Sequence, residues 1–192
     1  ATWKEGMEPD AVMEEPDVAI KGSAAKRSDS SRLTRDTEKK IIKLVLDGRE
    51  EDVQEIVYNA ATKIDPDSPD WDAIGIPGGI GQELDEYDSP TAHVRAAENA
   101  NELLGTEFGK GSKPMRCYIR PTYFDEIGDN IDVIAYEDED DLRPISDRLT
   151  VDAGKMTKTL LVNPMGEMLE AVGVDVDAAV SGQNQTALGA FL

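Results

Sequence analysis

The sequence predicts an α+β fold that is mainly helical and carries short β elements. Apolar residues recur at helical spacing in several segments, which favours amphipathic helices. Two short runs near the middle of the chain, MRCYIRP and DVIAYE, are typical of strands. Hydrophobic residues make up 39% of the 192 positions, so the chain can bury a real core in one or two domains.

The first 22 residues have the pattern of a β-hairpin remnant. Trp3 lies on one arm and Val18 and Ile20 on the other, with the acidic, proline-bearing run GMEPDAVMEEPD between them. The chain begins with ATWKEG, without a methionine, and this run is typical of the interior of a strand. We therefore expect the sequence to be the C-terminal part of a longer protein.

Two helices are predicted next, over residues 33–46 and 50–63. Both have apolar residues at helical spacing, and Gly48 is a suitable end for the first, since glycine is favoured at helix C-termini. The run DPDSPD at residues 65–70 predicts a linker, and IGIPGGIG at residues 74–81 predicts a loop.

A third helix is predicted to begin at Ser89 and Pro90 and to end at Gly105. Serine is a good N-cap and proline is favoured in the first turn. Acidic residues are dense between Asp125 and Asp152, which predicts a solvated face and turns in this region.

The last long helix is predicted over residues 152–172. Its methionines and leucines share one side, and Gly173 provides its end. Pro164 lies inside it and predicts a kink, because proline removes a backbone hydrogen bond from a helix.

The chain is strongly acidic, with 40 acids against 20 bases and a formal net charge of -20. Such a charge usually indicates a protein that avoids nucleic acid. At molar salt, however, the Debye length falls to about 3 Å, so repulsion among surface acids is weak. Clear apolar periodicity favours this high-salt interpretation over a disordered acidic chain. We expect a high-salt cytoplasm, with the protein associated with the nucleoid.

Catalytic and metal-binding residues are not predicted in this chain. Because the chain has 40 carboxylates, finding two of them close in sequence does not indicate a catalytic acid–base pair. The single cysteine excludes an internal disulfide framework, and the single histidine excludes a histidine-rich metal site. Cys117 is expected to be a small buried strand residue, and His93 a surface or cap-proximal helix residue. The sequence contains no apolar run of about 18 residues, the length that would indicate a transmembrane helix.

The bases are concentrated in two windows. Residues 21–43 hold eight bases and three acids, and residues 110–120 hold four bases and no acid. A salt-bridged helix face explains the lysines at 39, 40 and 43. A phosphate-binding surface is favoured for the loop-like, glycine-bearing parts. The candidate residues are Lys21, Lys26, Arg27, Lys110, Lys113 and Arg116.

The glycine-rich runs do not form nucleotide-binding motifs. In GTEFGKGSK the two glycines are one residue too close for a P-loop, and Gly111 follows the lysine where serine or threonine would be needed. PGGIGQ has neither a lysine nor a following βα unit. Both runs are predicted to be flexible connections whose backbone amides could face a DNA phosphate.

Three segments together resemble family B DNA polymerases. IKGSAAKRSDSS followed by a helix is similar to the palm-to-thumb crossing of that family. The run from IGIPGGIGQ through HVRAA to GKGSKPMRCYI resembles its thumb segment. VDAGKMTKTLLVNPMGEMLEAVG resembles its last helix, including the internal proline. The resemblance is strongest to the replicative polymerases of halophilic archaea and spans nearly the whole chain.

The resemblance implies a polymerase thumb subdomain with short β elements and a flexible C-terminal tail. Residues 1–29 would be the end of the palm and the palm–thumb crossing, residues 30–181 the thumb, and residues 182–192 a tail. The intact enzyme would be a DNA-directed DNA polymerase, a nucleotidyltransferase that uses Mg²⁺. The family's metal-binding aspartates lie in an SLYPS region and a DTD turn, and neither string is present here. The chain alone is therefore expected to be inactive and to bind no Mg²⁺.

The resemblance also implies the partners: primer–template DNA, the rest of the polymerase chain and no membrane. Lys21 and Arg27 would lie nearest the duplex minor groove. The bases at 110, 113 and 116 would contact phosphates on the thumb. His93 and Arg95 match the family's thumb helix, and Arg95 is counted among the DNA-binding candidates.

The final residues, QTALGAFL, match the pattern of peptides that bind a PCNA-type sliding clamp. The pattern is glutamine, an aliphatic residue three positions later and an aromatic–apolar pair three positions after that, here Gln185, Leu188, Phe191 and Leu192. Such peptides form a helical turn that places apolar side chains in a pocket of the clamp. The alternative is an apolar end that docks on its own domain. Leu192 in place of a second aromatic residue predicts a lower affinity.

Two other functions remain open on the sequence. One is a stand-alone, non-enzymatic accessory module that binds DNA and the clamp. The other is an acidic DNA mimic, which predicts a uniformly negative surface. The two basic windows count against the mimic.

Overall fold

The computed structural model describes residues 27–182 and shows an α+β fold. About half of these residues are helical, and three antiparallel strands form one small sheet in the order β1–β2–β3. The strands are β1 (Ile76–Pro77), β2 (Met115–Phe124) and β3 (Asp129–Tyr136). The hairpin expected in the first 22 residues lies outside the described residues.

The first two helices lie close to their predicted positions. Helix α1 is Arg32–Leu46, and its N-cap Ser31 accepts a hydrogen bond from the backbone N–H of Thr34 through its side chain, at 3.1 Å. Helix α2 is Val53–Ala61 and follows a 3-10 turn, Glu50–Asp52. Spacing of apolar residues therefore located both helices correctly.

Helix α4 (Ala92–Leu104) begins later than Ser89 and Pro90 predict. Thr91 is its N-cap, in an extended conformation, and no side-chain cap hydrogen bond forms. A residue before proline is disfavoured in the helical region, so Ser89 is kept out of the helix. The predicted end is correct, since Gly105 adopts the left-handed conformation with φ of 67°.

The two predicted strands are present and pair with each other as β2 and β3. Their register joins Met115 to Tyr136 at one end and Phe124 to Asp129 at the other, with an irregularity between Tyr118 and Thr122. This hairpin packs against helix α4, where the Asn99 side-chain amide donates to the Val133 carbonyl at 2.8 Å. The sheet thus has a fixed helical cover.

The two glycine-rich runs are paired with each other, which corrects the prediction that both are flexible connections. Residues 71–74 form a short helix, α3 (Trp71–Ile74), and β1 then pairs with β2 through Ile76 and Arg116. Beyond the strands, the Gly78 N–H donates to the Pro114 carbonyl at 3.0 Å, and the Ile80 N–H donates to the Ser112 carbonyl at 3.0 Å. We call residues 76–81 and 109–116 together the glycine ribbon.

The last long helix is interrupted by a wider turn before Pro164. Helix α5 (Ala153–Thr157) continues through a π-helical segment (Lys158–Val162) into α6 (Asn163–Ala171). Proline has no N–H to donate to the carbonyl four residues earlier, at Leu160. The Thr34 hydroxyl donates to that carbonyl at 2.8 Å, so α1 satisfies the group that the proline leaves free.

The remaining described elements close the core. The acidic region contains a 3-10 segment, Glu139–Arg148, where turns were predicted. A short helix, α7 (Val176–Ser181), follows Gly173 and was not predicted. One buried cluster runs from Ile41 on α1 through Phe124 on β2 to Leu169 on α6. Within residues 27–182, no helix is long and apolar enough to cross a membrane.

Candidate nucleic-acid interface

The turn of the glycine ribbon presents two exposed lysines on a fixed backbone. The Gly109 N–H donates to the Ser112 hydroxyl at 3.1 Å, and that hydroxyl donates to the Gly109 carbonyl at 2.6 Å. Gly111 has φ of 88°, a conformation that favours glycine. Lys110 lies inside this turn and Lys113 just after it, and both are exposed.

The bases of the ribbon are not neutralised by neighbouring acids. Arg32, Arg49 and Arg148 each form an ion pair with a nearby carboxylate. Among residues 27–182, none of the ribbon's three bases forms such a pair, although the chain contains 40 acids. The two exposed lysines of the ribbon therefore carry positive charge outward in an acidic protein.

Arg116 lies at the base of the ribbon and is half-buried. Its Nε atom is buried and has no hydrogen-bond partner among the described residues. A Cβ atom added at Gly78 would lie 3.2 Å from the Arg116 Nη1 atom and 3.0 Å from the His93 Cβ atom. Glycine at position 78 therefore lets the arginine and the histidine approach the ribbon backbone closely.

His93 lies in the first turn of α4, close to the helix N-cap, as predicted. Its Nδ1 atom is 3.3 Å from the Thr91 hydroxyl. Burial lowers the pKa of His93, and the nearby charge of Arg116 lowers it further. Both effects favour the neutral form of the imidazole.

Arg27 and Arg116 lie on the same cleft, although 88 positions in the chain separate them. The cleft has a volume of about 270 Å³ and is also lined by Thr159 and Asn163 of the last helix. Arg27 lies 3.8 Å from Asp29, and both side chains are about two-thirds exposed, so this ion pair is weak. The structure thus brings one base from each basic window together.

Arg95, by contrast, does not line this cleft and has a partner of its own. Its guanidinium lies 3.1 Å from Asp132, and Lys155 lies 3.1 Å from the other oxygen of the same carboxylate. Lys155 also lies over the Tyr118 ring, 3.9 Å from its centre. Burial alone would raise the pKa of Asp132, but the hydrogen bonds and charges of Lys155 and Arg95 lower it. A DNA contact by Arg95 would have to compete with this pair.

Cys117 is fully buried in β2, as predicted. Its thiol donates to the Tyr118 carbonyl at 3.4 Å. Burial raises its pKa, and the charge of Asp152 raises it further, so the reactive thiolate is scarce. The part of the chain that the structure describes contains no group of three or more potential metal ligands.

Several predicted site residues lie outside the described residues and keep the status of predictions. These are Lys21 and Lys26 of the first basic window and the four positions of the tail pattern, Gln185, Leu188, Phe191 and Leu192. The sequence reasoning missed Gly78, Thr159 and Asn163. Pro164 was the available signal for the last two, since a proline inside a helix often marks an irregular turn.

No protein-family model matches the sequence, and no curated protein matches it.

Proposed function

We propose that this chain is the C-terminal, thumb-type part of a family B DNA polymerase. In this proposal it holds the primer–template duplex behind the active site, and residues upstream of Ala1 supply the aspartates, the Mg²⁺ ions and the chemistry of nucleotide addition. The observation that carries the proposal is the glycine ribbon, where Lys110, Lys113 and Arg116 form no ion pair among the described residues of an acidic chain.

Phosphate contacts suit this role because a replicative polymerase must hold every sequence. Contacts to phosphates position a protein on the duplex without reading the bases. The ribbon supports such contacts because its backbone hydrogen bonds fix where the lysines at 110 and 113 emerge. Lysines on a fixed turn lose less freedom on binding than lysines on a mobile loop.

The tail forms the second part of the proposal. QTALGAFL would bind a PCNA-type sliding clamp through Leu188 and Phe191, with Gln185 making polar contacts and Leu192 completing the apolar end. At molar salt the counterion-release contribution to DNA binding is small, whereas apolar contacts are strengthened by many salts. A clamp contact would therefore retain the enzyme on DNA where charge alone does not.

Charge reversal on the basic surface tests the duplex-binding role. We expect Lys113→Glu and Arg27→Glu each to weaken binding of a primer–template duplex by about tenfold, or about 1.4 kcal/mol, because each change removes a phosphate contact. Each should also reduce the slope of log affinity against log salt by about one. Fluorescence anisotropy of a labelled duplex over a salt series measures both quantities.

Lys63→Glu provides the matched control for this experiment. Lys63 is exposed, forms no ion pair among the described residues and lies after helix α2, away from the ribbon sequence. It carries the same charge change and should leave the salt slope unchanged. Equal affinity of all variants and the wild-type chain would reject the assignment of this surface.

A further inference from the structure

The cleft that joins the two basic windows has walls from three separate parts of the fold. Arg27 and Ser30 come from the segment before α1, Arg116 comes from β2, and Asn163 comes from the start of α6. The π-helical segment Lys158–Val162 ends directly before Asn163. Interruptions of this kind occur frequently at functional sites, because they change the direction of the side chains that follow.

One polar atom of the residues that line the cleft lacks a hydrogen-bond partner among the described residues. The buried Nε atom of Arg116 has no acceptor among residues 27–182. The guanidinium group can only donate hydrogen bonds, so the missing partner is an acceptor. Charge-assisted hydrogen bonds to an anion satisfy such a donor best. The buried Nε atom is closed off from solvent, but each guanidinium also carries Nη donors, so the two arginines that line the cleft favour an anion with several oxygen atoms.

The cleft is large enough for a small anion. Its volume of about 270 Å³ is close to the lower end of the range of about 300–1,000 Å³ typical of pockets for drug-sized ligands. Ser30 and Asn163 also line the cleft, and both residue types carry side chains that can donate neutral hydrogen bonds. Asp29 is the acid on the wall, but it is about two-thirds exposed and can turn towards solvent.

We propose that this cleft is a binding site for one phosphate group, held by Arg27 and Arg116 with Ser30 and Asn163. An occupied site links the segment before α1 to the last helix through the phosphate. The Thr34–Leu160 hydrogen bond already holds these two elements side by side, so the phosphate reinforces an existing contact. The inference deepens the proposed function and rests on it for the source of the phosphate, which is the backbone of the bound duplex.

Inorganic phosphate is the probe that tests the site in the 192-residue chain. We expect phosphate to raise the thermal unfolding midpoint relative to chloride at equal ionic strength, because a ligand that binds the folded state stabilises it. Phosphate also strengthens apolar contacts in any protein, so the site is measured by the part of the rise that a variant loses. Arg116→Gln should lose the larger part of the rise and Arg27→Gln a smaller part. Arg120→Gln is the matched control, since Arg120 lies on the same strand, is exposed and does not line the cleft.

The outcomes separate this inference from the proposed function. No rise with phosphate in the wild-type chain, or an equal rise in Arg116→Gln, overturns the phosphate site. If duplex binding still responds to Lys113→Glu in that case, the proposed function stands without the site. A phosphate effect without any duplex binding would instead assign the cleft to free phosphate and contradict the proposed function. Should Arg116→Gln fail to fold by circular dichroism, Arg27→Gln decides the question.

Discussion

His93 and Arg116 both lie beside Gly78, and burial together with the nearby charge of Arg116 lowers the pKa of the histidine. A protonated imidazole there would be partly removed from water and would face a guanidinium, and both effects disfavour its charge. A neutral histidine leaves the arginine as the main positive charge at the base of the ribbon. The two residues thus form one electrostatic unit at the edge of the candidate interface.

The environment of His93 predicts that the stability of the folded chain depends on pH. The pKa of His93 is lower in the folded chain than its ordinary value of 6.5, so the unfolded chain binds more protons as the pH falls. The stabilisation from keeping the histidine neutral is complete well above pH 6.5 and is lost as the pH falls below it. We expect the folded chain to lose stability between pH 7.5 and 5.5 relative to a His93→Asn variant.

Thermal unfolding of both proteins across that pH range measures the effect. Protonation of the many carboxylates changes the stability of both proteins in the same way, so the difference between them isolates His93. Parallel curves for the two proteins would contradict the assigned environment of the histidine.

At the scale of elements, a proline in the last helix leaves a backbone carbonyl without its helical donor, and a side chain of helix α1 donates to that carbonyl instead. Pro164 removes an N–H donor, the helix widens over Lys158–Val162, and the Leu160 carbonyl accepts from Thr34 on α1. Thr34 is also bonded to the cap residue Ser31, at 2.9 Å between the two hydroxyl oxygens. The start of α1 and the middle of the last helix are thereby joined near the proposed phosphate site.

The proposed clamp-binding role of the tail, residues 182–192, rests on the sequence pattern alone. We expect the double change Leu188→Ala and Phe191→Ala to abolish capture by a PCNA-type clamp at high salt, because the two side chains supply the apolar contact. Under the proposed function, short-primer extension by the intact polymerase should be unaffected. A pull-down with the purified clamp measures the first effect, and Thr186→Ala, at a position that the pattern leaves free, is the control. Clamp capture that survives the double change would favour the alternative of a tail that docks on its own domain.

Elements with strong periodicity could be predicted from the sequence, whereas elements defined by distant partners could not. Helices α1 and α2 and strands β2 and β3 follow from apolar spacing, and Gly105 ends α4 as expected. The glycine ribbon is held together by backbone hydrogen bonds. Such bonds need no alternation of apolar and polar residues, so the sequence does not reveal the pairing. The same holds for the site: Arg27 and Arg116 were predicted separately, but their shared cleft depends on the tertiary fold.

At the scale of the whole molecule, a strongly acidic chain carries a local group of bases without ion pairs. The formal net charge is -20, yet the ribbon keeps three bases without ion pairs within the described part of the chain. We interpret the acidic background as an adaptation to high salt, where the Debye length of about 3 Å at 1 M limits repulsion. On this interpretation, the ribbon and the cleft retain positive charge because they contact phosphates.

The central claim is that the chain is part of a polymerase, and the coding sequence upstream of Ala1 tests it most directly. Sequencing of the genomic DNA before the Ala1 codon measures whether the reading frame continues. We predict an open frame that encodes the palm, with an SLYPS-type region and a DTD turn carrying the metal-binding aspartates. A promoter and a start codon immediately before Ala1 would contradict the claim and indicate a stand-alone accessory module.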